Sequence, residues 1–259
     1  MSLRAALDAQ GLDWLVAHWP GVAGARGFAT TRNGPHGATF DLGPAHADAL
    51  DASRREAVLA NRVALERFVP SRPVWLEQVH GHDVVTIDAD SLERARATPP
   101  VADAAVTRLR NLPLGIRVAD CLPVLFVDDE ASVIGAAHSG WRGLAGGVLE
   151  ATIEAMRVTP SRLAAWLGPA IGADAFEVGD DVLDAFVAAD AGAAAHFTRH
   201  GERKWKTDLA LLARRRLAQA GVDRVSGDSP CTFTHSTRFF SWRRDRTPAR
   251  QAALAWLDG

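Results

Sequence analysis

The sequence predicts an α+β fold: a single-domain sandwich of mixed β-sheet strands flanked by helices. Apolar strand-like runs follow one another across links too short for a crossover helix, as at Leu114 to Val118, Leu122 to Val127 and Val133 to His138. Strands so joined pair as hairpins rather than as a doubly wound parallel sheet. Helical spacing of apolar residues recurs from Asp51 to Phe68, Leu144 to Arg157 and Asp208 to Ala220. No repeat, low-complexity tract or long Pro/Ser linker divides the chain, so residues 1–259 are expected to form one domain.

Taken in order, the helix from Asp51 to Phe68 opens on Ser53-Arg-Arg-Glu56, which has the spacing of a capping box. Val74 to His80 and Asp83 to Ile87 read as strands joined through Gly81. The strands at Leu122 and Val133 are separated by the turn Asp128-Asp-Glu-Ala-Ser132. The next helix carries Leu144, Val148, Leu149, Thr152 and Met156 on one face, with Pro160 beyond its end. Leu163 to Leu167 is a strand that runs into Gly168-Pro-Ala-Ile-Gly172, and a further helix begins near Asp180. The helix from Asp208 ends before Gly221, a residue suited to a C-terminal cap.

Composition narrows the function classes. The chain has 259 residues, 29 Lys plus Arg against 31 Asp plus Glu, and a net charge of −2. That balance argues against nucleic-acid or anionic-membrane partners, although it leaves room for a local basic groove. Apolar runs fall short of the ~20 residues a spanning helix needs, and the N-terminus lacks a signal-peptide layout. A cytoplasmic location is the resulting expectation. Two cysteines, Cys121 and Cys231, make no disulfide framework.

The chemistry concentrates in three apolar runs that end on a polar, metal-competent residue beside a turn. They are Val74-Trp-Leu-Glu-Gln-Val-His80-Gly81, Arg117-Val-Ala-Asp-Cys121-Leu-Pro123 and Val133-Ile-Gly-Ala-Ala-His138-Ser-Gly-Trp-Arg-Gly143. His80, Cys121 and His138 make a set of three zinc ligands with a fourth position left for water or substrate. The bland alternative is two hydrogen-bonded histidines and a small buried thiol. Alternation would put Gln78 on the face of His80, with Glu77 turned away. His82 reads as a turn residue, and His18, His36, His46, His196, His200 and His235 lie in weaker contexts. Cys231 reads as structural.

Anion binding has two candidate places. The turn His138-Ser-Gly-Trp-Arg-Gly143 would offer free backbone N–H groups at a helix start, with Arg142 adding charge-assisted contacts; alternatively its glycines simply permit the turn. Arg62 falls inside the apolar stripe of Val58, Leu59, Val63, Leu65, Phe68 and Val69. There it must be paired, snorkel outward or face a cavity as an anion clamp, with Asn61 at its border. Asp120 adjoins Cys121 as a supporting group, and Glu177 either lines the site or caps the helix near Asp180.

The chain resembles the YfiH-type laccase-domain (polyphenol oxidase-like) purine nucleoside phosphorylases. The matching segments run through nearly its whole length: Thr30-Thr-Arg32, Glu56 to Arg62, Gln78-Val-His-Gly81, Ala119-Asp-Cys-Leu-Pro123, Ala137-His-Ser-Gly-Trp-Arg-Gly143, Gly168-Pro-Ala-Ile-Gly172, Phe176-Glu-Val-Gly179 and Arg238-Phe-Phe-Ser-Trp-Arg-Arg-Asp245. The resemblance implies zinc on His80, Cys121 and His138, phosphorolysis of adenosine, inosine and methylthioadenosine, and an adenosine deaminase activity alongside. It also brings an attribution of copper-dependent phenol oxidation, and the donor set suits copper as well as zinc. The chain departs from the family pattern at Asn33-Gly-Pro-His-Gly37, at Thr39-Phe-Asp-Leu-Gly43, where Asp41 stands for an expected Asn, and at Thr247-Pro-Ala-Arg250.

The function expected is therefore a zinc-dependent purine nucleoside phosphorylase with purine nucleosides and phosphate as partners. His80, Cys121 and His138 would be metal-bound and catalytic; Arg62, Asn61, Gln78, Arg142 and Glu177 would contact substrate. A homodimer would be compatible with this. The rival readings are a metal-free Cys121–His138 hydrolase or deamidase, a copper polyphenol oxidase, and a non-catalytic nucleotide-binding or redox-partner module.

Overall fold

The computed structural model describes residues 2–44 and 50–259, so His46 lies outside the described residues. Two sheets form the centre. The first has the order β1 (Leu15–Val16), β2 (Ala25–Ala29), β14 (Gln251–Leu257), β6 (Leu114–Val118) and β3 (Val74–Trp75). The second has the order β13 (Arg224–Ser226), β9 (Leu163–Leu167), β7 (Leu122–Asp128), β8 (Ile134–Ser139), β5 (Ala104–Thr107) and β4 (Val84–Ile87). A small third sheet joins β10 (Glu177–Gly179), β12 (Lys204–Lys206) and β11 (Thr198–Arg199). The β3–β6, β4–β5 and β9–β13 pairs are parallel and the rest antiparallel, so the two central sheets are mixed and the fold class is α+β.

Strand periodicity explains the layering. In β7, Leu122, Val124 and Phe126 face the helical side, while Leu125 and Val127 face the other sheet. In β14, Ala253, Ala255 and Leu257 turn toward that same inter-sheet core, and Ala252, Leu254 and Trp256 toward a third core. Helices close both outer faces. α1 (Leu3–Asp8) and α2 (Ala52–Leu65) cover the first sheet through Leu7 and Leu65. α5 (Val148–Met156), α6 (Asp180–Ala189) and α7 (Leu209–Gln219) cover the second. The short α3 (Leu92–Ala97), α4 (Trp141–Gly146) and α8 (Trp242–Asp245) lie in connections. No helix among the described residues is long and apolar enough to cross a membrane.

Several expected elements differ in detail. The N-cap of α2 is Asp51, whose carboxylate accepts from the Arg54 N–H, so the Ser53–Glu56 capping box does not form. An Asp two residues upstream supplies the same acceptor one half-turn earlier. Two of the six residues of the stripe read there face solvent: Leu59 and Val63 are exposed, whereas Val58 and Leu65 are buried and Phe68 and Val69 half-buried. The helix expected from Leu144 to Arg157 is two helices, α4 and α5. Gly147 breaks them with φ +96°, a left-handed conformation that glycine reaches without steric cost. The strand expected from Val74 to His80 ends at Trp75, and His80 itself has φ +64°.

Candidate metal centre

Beyond Trp75 the β3 chain leaves the ladder, and side chains take over its pairing. Gln78 Nε2 donates to the Arg117 carbonyl at 2.8 Å, and Gln78 Oε1 accepts from the Arg117 N–H at 3.0 Å. The chain then turns at Val79-His80-Gly81 around one carboxylate. Asp103 accepts from the N–H groups of His80 at 2.9 Å, Gly81 at 2.6 Å and Val79 at 3.2 Å. Three convergent donors hold a turn in which His80 has a positive φ, a conformation a non-glycine residue keeps only when its surroundings fix it.

Asp103 also orients the second histidine. His138, at the end of β8, donates from Nδ1 to Asp103 Oδ1 at 2.7 Å, and both side chains are buried. With Nδ1 committed, Nε2 is the nitrogen left to face the cluster. Burial alone would raise the Asp103 carboxyl, but His138 and the Gly81 and Val79 N–H groups hold it below its ordinary range. Asp103 escaped the sequence reading. The available signal was a carboxylate inside the otherwise apolar run Val101 to Val106.

The third member lies where the chain crosses between the sheets. The Ala119-Asp120-Cys121 turn links β6 of one sheet to β7 of the other. Asp120 has φ +87°, and its carboxylate accepts from Thr232 Oγ1 at 2.6 Å, Ser241 Oγ at 3.0 Å and the Arg243 N–H at 2.7 Å. The supporting role expected for Asp120 takes this form: it ties the segment Ser241 to Arg243 to the Cys121 turn.

His80, Cys121 and His138 thus meet. Their ligand atoms lie within 4.8 Å of one another, and among the described residues they are the one such group of three. Cys121 Sγ is 3.8 Å from His80 Nε2, and the two imidazoles meet edge to face. Burial pushes the Cys121 thiol up, yet His138 and His80 beside it bring it down to about 6. Burial lowers His138, but Cys121 and Asp103 raise it to about 9. A depressed thiol between two imidazoles, one oriented by a carboxylate, is a donor set able to hold a metal ion.

Gly140 keeps space for this cluster, because a Cβ there would sit 3.0 Å from His80 Cδ2 and 3.1 Å from Cys121 Sγ. Gly140→Ala is therefore expected to fold with an ordinary melting curve yet bind zinc roughly tenfold more weakly, since ligand geometry tolerates only about 0.5 Å of displacement. Competition with a chromophoric chelator measures it; unchanged affinity would show that the cluster gives way freely.

The cluster opens into a cavity of about 650 Å³. Gln78, Asp120, Phe176, Trp242 and the arginines Arg117, Arg243 and Arg250 contribute to its walls. Of the substrate candidates from the sequence, only Gln78 is among the lining residues. Arg62 donates from Nε and Nη2 to the Leu42 carbonyl at 3.1 and 2.9 Å and also reaches the Pro44 carbonyl. Asn61 Nδ2 donates to the carbonyls of Thr39 and Asp41. These two brace the 39–44 loop from α2. Arg142 is exposed, stacks on Trp141 in the short α4 and is not among the residues that line the cavity. Glu177 lies 3.6 Å from both Lys204 and His200. Sequence reasoning missed Arg117, Arg243, Arg250 and Trp242. Arg117 carried the same signal as Arg62, a charge within an apolar element.

A family model described as "Multi-copper polyphenol oxidoreductase laccase" matches residues 26–258. A purine nucleoside phosphorylase of Xylella fastidiosa strain Temecula1 is 46% identical over 252 residues, covering 94% of this chain and 96% of that protein. The purine nucleoside phosphorylase YfiH of Escherichia coli K12 is 41% identical over 251 residues, covering 94% and 98%. The crystal structure of Neisseria meningitidis protein NMB0706 superposes with a TM-score of 0.85 at 42% identity, covering 95% of this chain and all of that one. On family match, identity and fold together, the chain belongs to the YfiH-type family of laccase-like proteins.

Proposed function

We propose that the protein is a zinc-dependent purine nucleoside phosphorylase. It would cleave adenosine, inosine and methylthioadenosine with phosphate to the free base and a ribose 1-phosphate, and would deaminate adenosine as a second activity. One observation carries the reading: a metal-competent group and three arginines share one cavity of about 650 Å³, a size that encloses a nucleoside. The relatives named purine nucleoside phosphorylase support it.

In phosphorolysis a phosphate oxygen bonds to the ribose C1′ as the C1′–N bond breaks, and its electron pair passes to the purine, which takes up a proton. The chain's task is to position the anion and the base, and to accept charge on the leaving purine. Trp242, which is 45% exposed, and Phe176 give aromatic faces on the cavity wall for a purine. His80, Cys121 and His138 would hold zinc, which when bound supplies Lewis acidity toward the purine or an activated water for deamination. Copper oxidation of phenols fits less well, because four-electron oxygen reduction usually employs several coppers and the described residues offer one three-donor group.

The same reading takes residues 1–259 as one cytoplasmic domain. Pairing of β14 with β2 and β6 supports it, because the C-terminal strand completes the N-terminal sheet. The near-neutral charge supports small-molecule partners over nucleic acid or membrane.

Incubating zinc-loaded protein with adenosine and phosphate is expected to yield adenine with ribose 1-phosphate, and inosine. Absence of all three products would overturn both activities. A second reading has one observation in its favour: Asp103, His138 and Cys121 stand in the order of a carboxylate–histidine–thiol hydrolase. Alkylation separates the two. Zinc at one equivalent that shields Cys121 from iodoacetamide leaves no free nucleophile, whereas a reactive Cys121 in metal-saturated protein supports the hydrolase.

A further inference from the structure

The three cavity arginines differ from the ion-paired arginines of this protein. Arg54, Arg215, Arg216 and Arg238 each pair with a carboxylate. The side-chain bonds of Arg117, Arg243 and Arg250 run instead to main-chain carbonyls: Gly43 and Leu76, Ala175 and Glu177, Thr247 and Ala249. Among the described residues, none of the three has a carboxylate at ion-pair distance. Asp120, on the same wall, already accepts three hydrogen bonds.

Arg117 is the decisive member. It is 5% exposed, and its Nε is buried with no acceptor. Of five N–H donors, it places one on Gly43 at 3.4 Å and one on Leu76 at 2.5 Å. Its close charged neighbours are cations: burial first, then Arg62 and Arg250, lower its pKa to about 9. A guanidinium buried among cations is costly to keep unless an anion completes the site. Arg250 connects this point to the metal-competent group, since after burial the strongest influence on it is the Cys121 sulfur.

The seat is braced around Asp41. Its Oδ1 accepts from the N–H of Gly43 at 2.8 Å and of Arg250 at 2.9 Å, while Oδ2 pairs with Arg54 at 2.8 Å. One carboxylate therefore fixes the loop that anchors Arg117 and the main chain that carries Arg250. This also accounts for Asp where the family pattern has Asn, because Arg54 neutralises the added charge. Arg62, bound to Leu42 and Pro44, holds the same loop from behind.

We propose that Arg117 and Arg250 form the seat for inorganic phosphate, with Arg62 and Asp41 as positioning residues. The choice of phosphate among small oxyanions rests on the phosphorolysis reading; the existence of an anion seat rests on the arginines alone.

The test uses zinc-loaded protein with inorganic phosphate as the probe. In wild type, phosphate is expected to raise the melting temperature saturably, as a ligand of the native state must. Arg117→Met and Arg250→Gln are each expected to abolish that rise and to increase KM for phosphate roughly ten- to hundredfold, leaving KM for adenosine within about twofold. If Arg117→Met fails to fold, Arg250→Gln and the charge-retaining Arg117→Lys carry the comparison; Arg117→Lys is expected to recover only part of the phosphate affinity because it lacks the planar fork. Ribose 1-phosphate formed at an unchanged phosphate KM in both variants would overturn the seat while sparing the phosphorylase. Phosphate binding by wild type that is lost in the variants, with no ribose 1-phosphate from any protein, would uphold the seat and overturn the phosphorylase.

Discussion

Asp103→Asn is expected to lower zinc affinity by roughly 10- to 100-fold and to destabilise the fold by about 2–6 kcal/mol. The carboxylate accepts four hydrogen bonds, from the Val79, His80 and Gly81 N–H groups and from His138 Nδ1. An asparagine keeps one oxygen and turns an NH₂ toward the other donors. At least two of these buried or part-buried donors then lose an acceptor, each costing about 1–3 kcal/mol. His138 also loses the partner that selects its tautomer, so Nε2 is no longer reserved for the cluster. Urea denaturation measures the stability change, and chelator competition measures the affinity. A variant with wild-type values of both would remove Asp103 from the centre of the site. Arg162 provides the contrast through its exposed pair with Asp129, since exposed pairs contribute about 0–1 kcal/mol.

How much of this was readable from residues alone depends on the range of each interaction. Local rules located the strand Leu163–Leu167 and the strand Leu114–Val118 to the residue, because apolar runs bounded by turns need no distant partner. Competition between local options was harder. Asp51 and Ser53 both offer a cap, and only the observed hydrogen bond decides between them. Gly146 and Gly147 stand inside a helical pattern, and the break is seen only once α4 turns away from α5. The three members of the metal-competent group were visible because each ends an apolar run on an unusual side chain. Their supports were not. Asp103 acts across β5 and β8 and across the 79–81 turn, all set by tertiary pairing. Arg62 shows the limit most clearly. Its burial was inferable from the helix, but its partners are backbone carbonyls 18 and 20 residues upstream, and no periodicity points to them. Arg117 sits under Trp75 by the same kind of long-range pairing, with the guanidinium 5.4 Å from the ring.

Zinc affinity of the metal-free protein is expected to rise about tenfold per pH unit between roughly pH 7 and 8.5, while the joint contribution of Cys121 and His138 to its stability stays nearly flat. The two statements have one cause. Cys121, lowered to about 6, binds fewer protons folded than unfolded in this window, so alone it would make stability rise with pH. His138, raised to about 9, binds more protons folded than unfolded, so alone it would make stability fall. The folded pair is a thiolate with an imidazolium, the unfolded pair a thiol with a neutral imidazole, and each carries one proton. The slopes cancel. A metal ion, however, must displace the proton on His138 Nε2, so one proton leaves per ion bound and the affinity follows pH with a slope of one. Calorimetric titration in buffers of different ionisation enthalpy counts that proton directly. Cys121→Ala is expected to bind zinc most weakly of all single variants and also to flatten the slope, because removing the thiolate removes the main cause holding His138 protonated against its burial. A slope of zero in the wild type would mean that His138 is already neutral, and that Cys121 and Asp103 do not together overcome the desolvation of its ring.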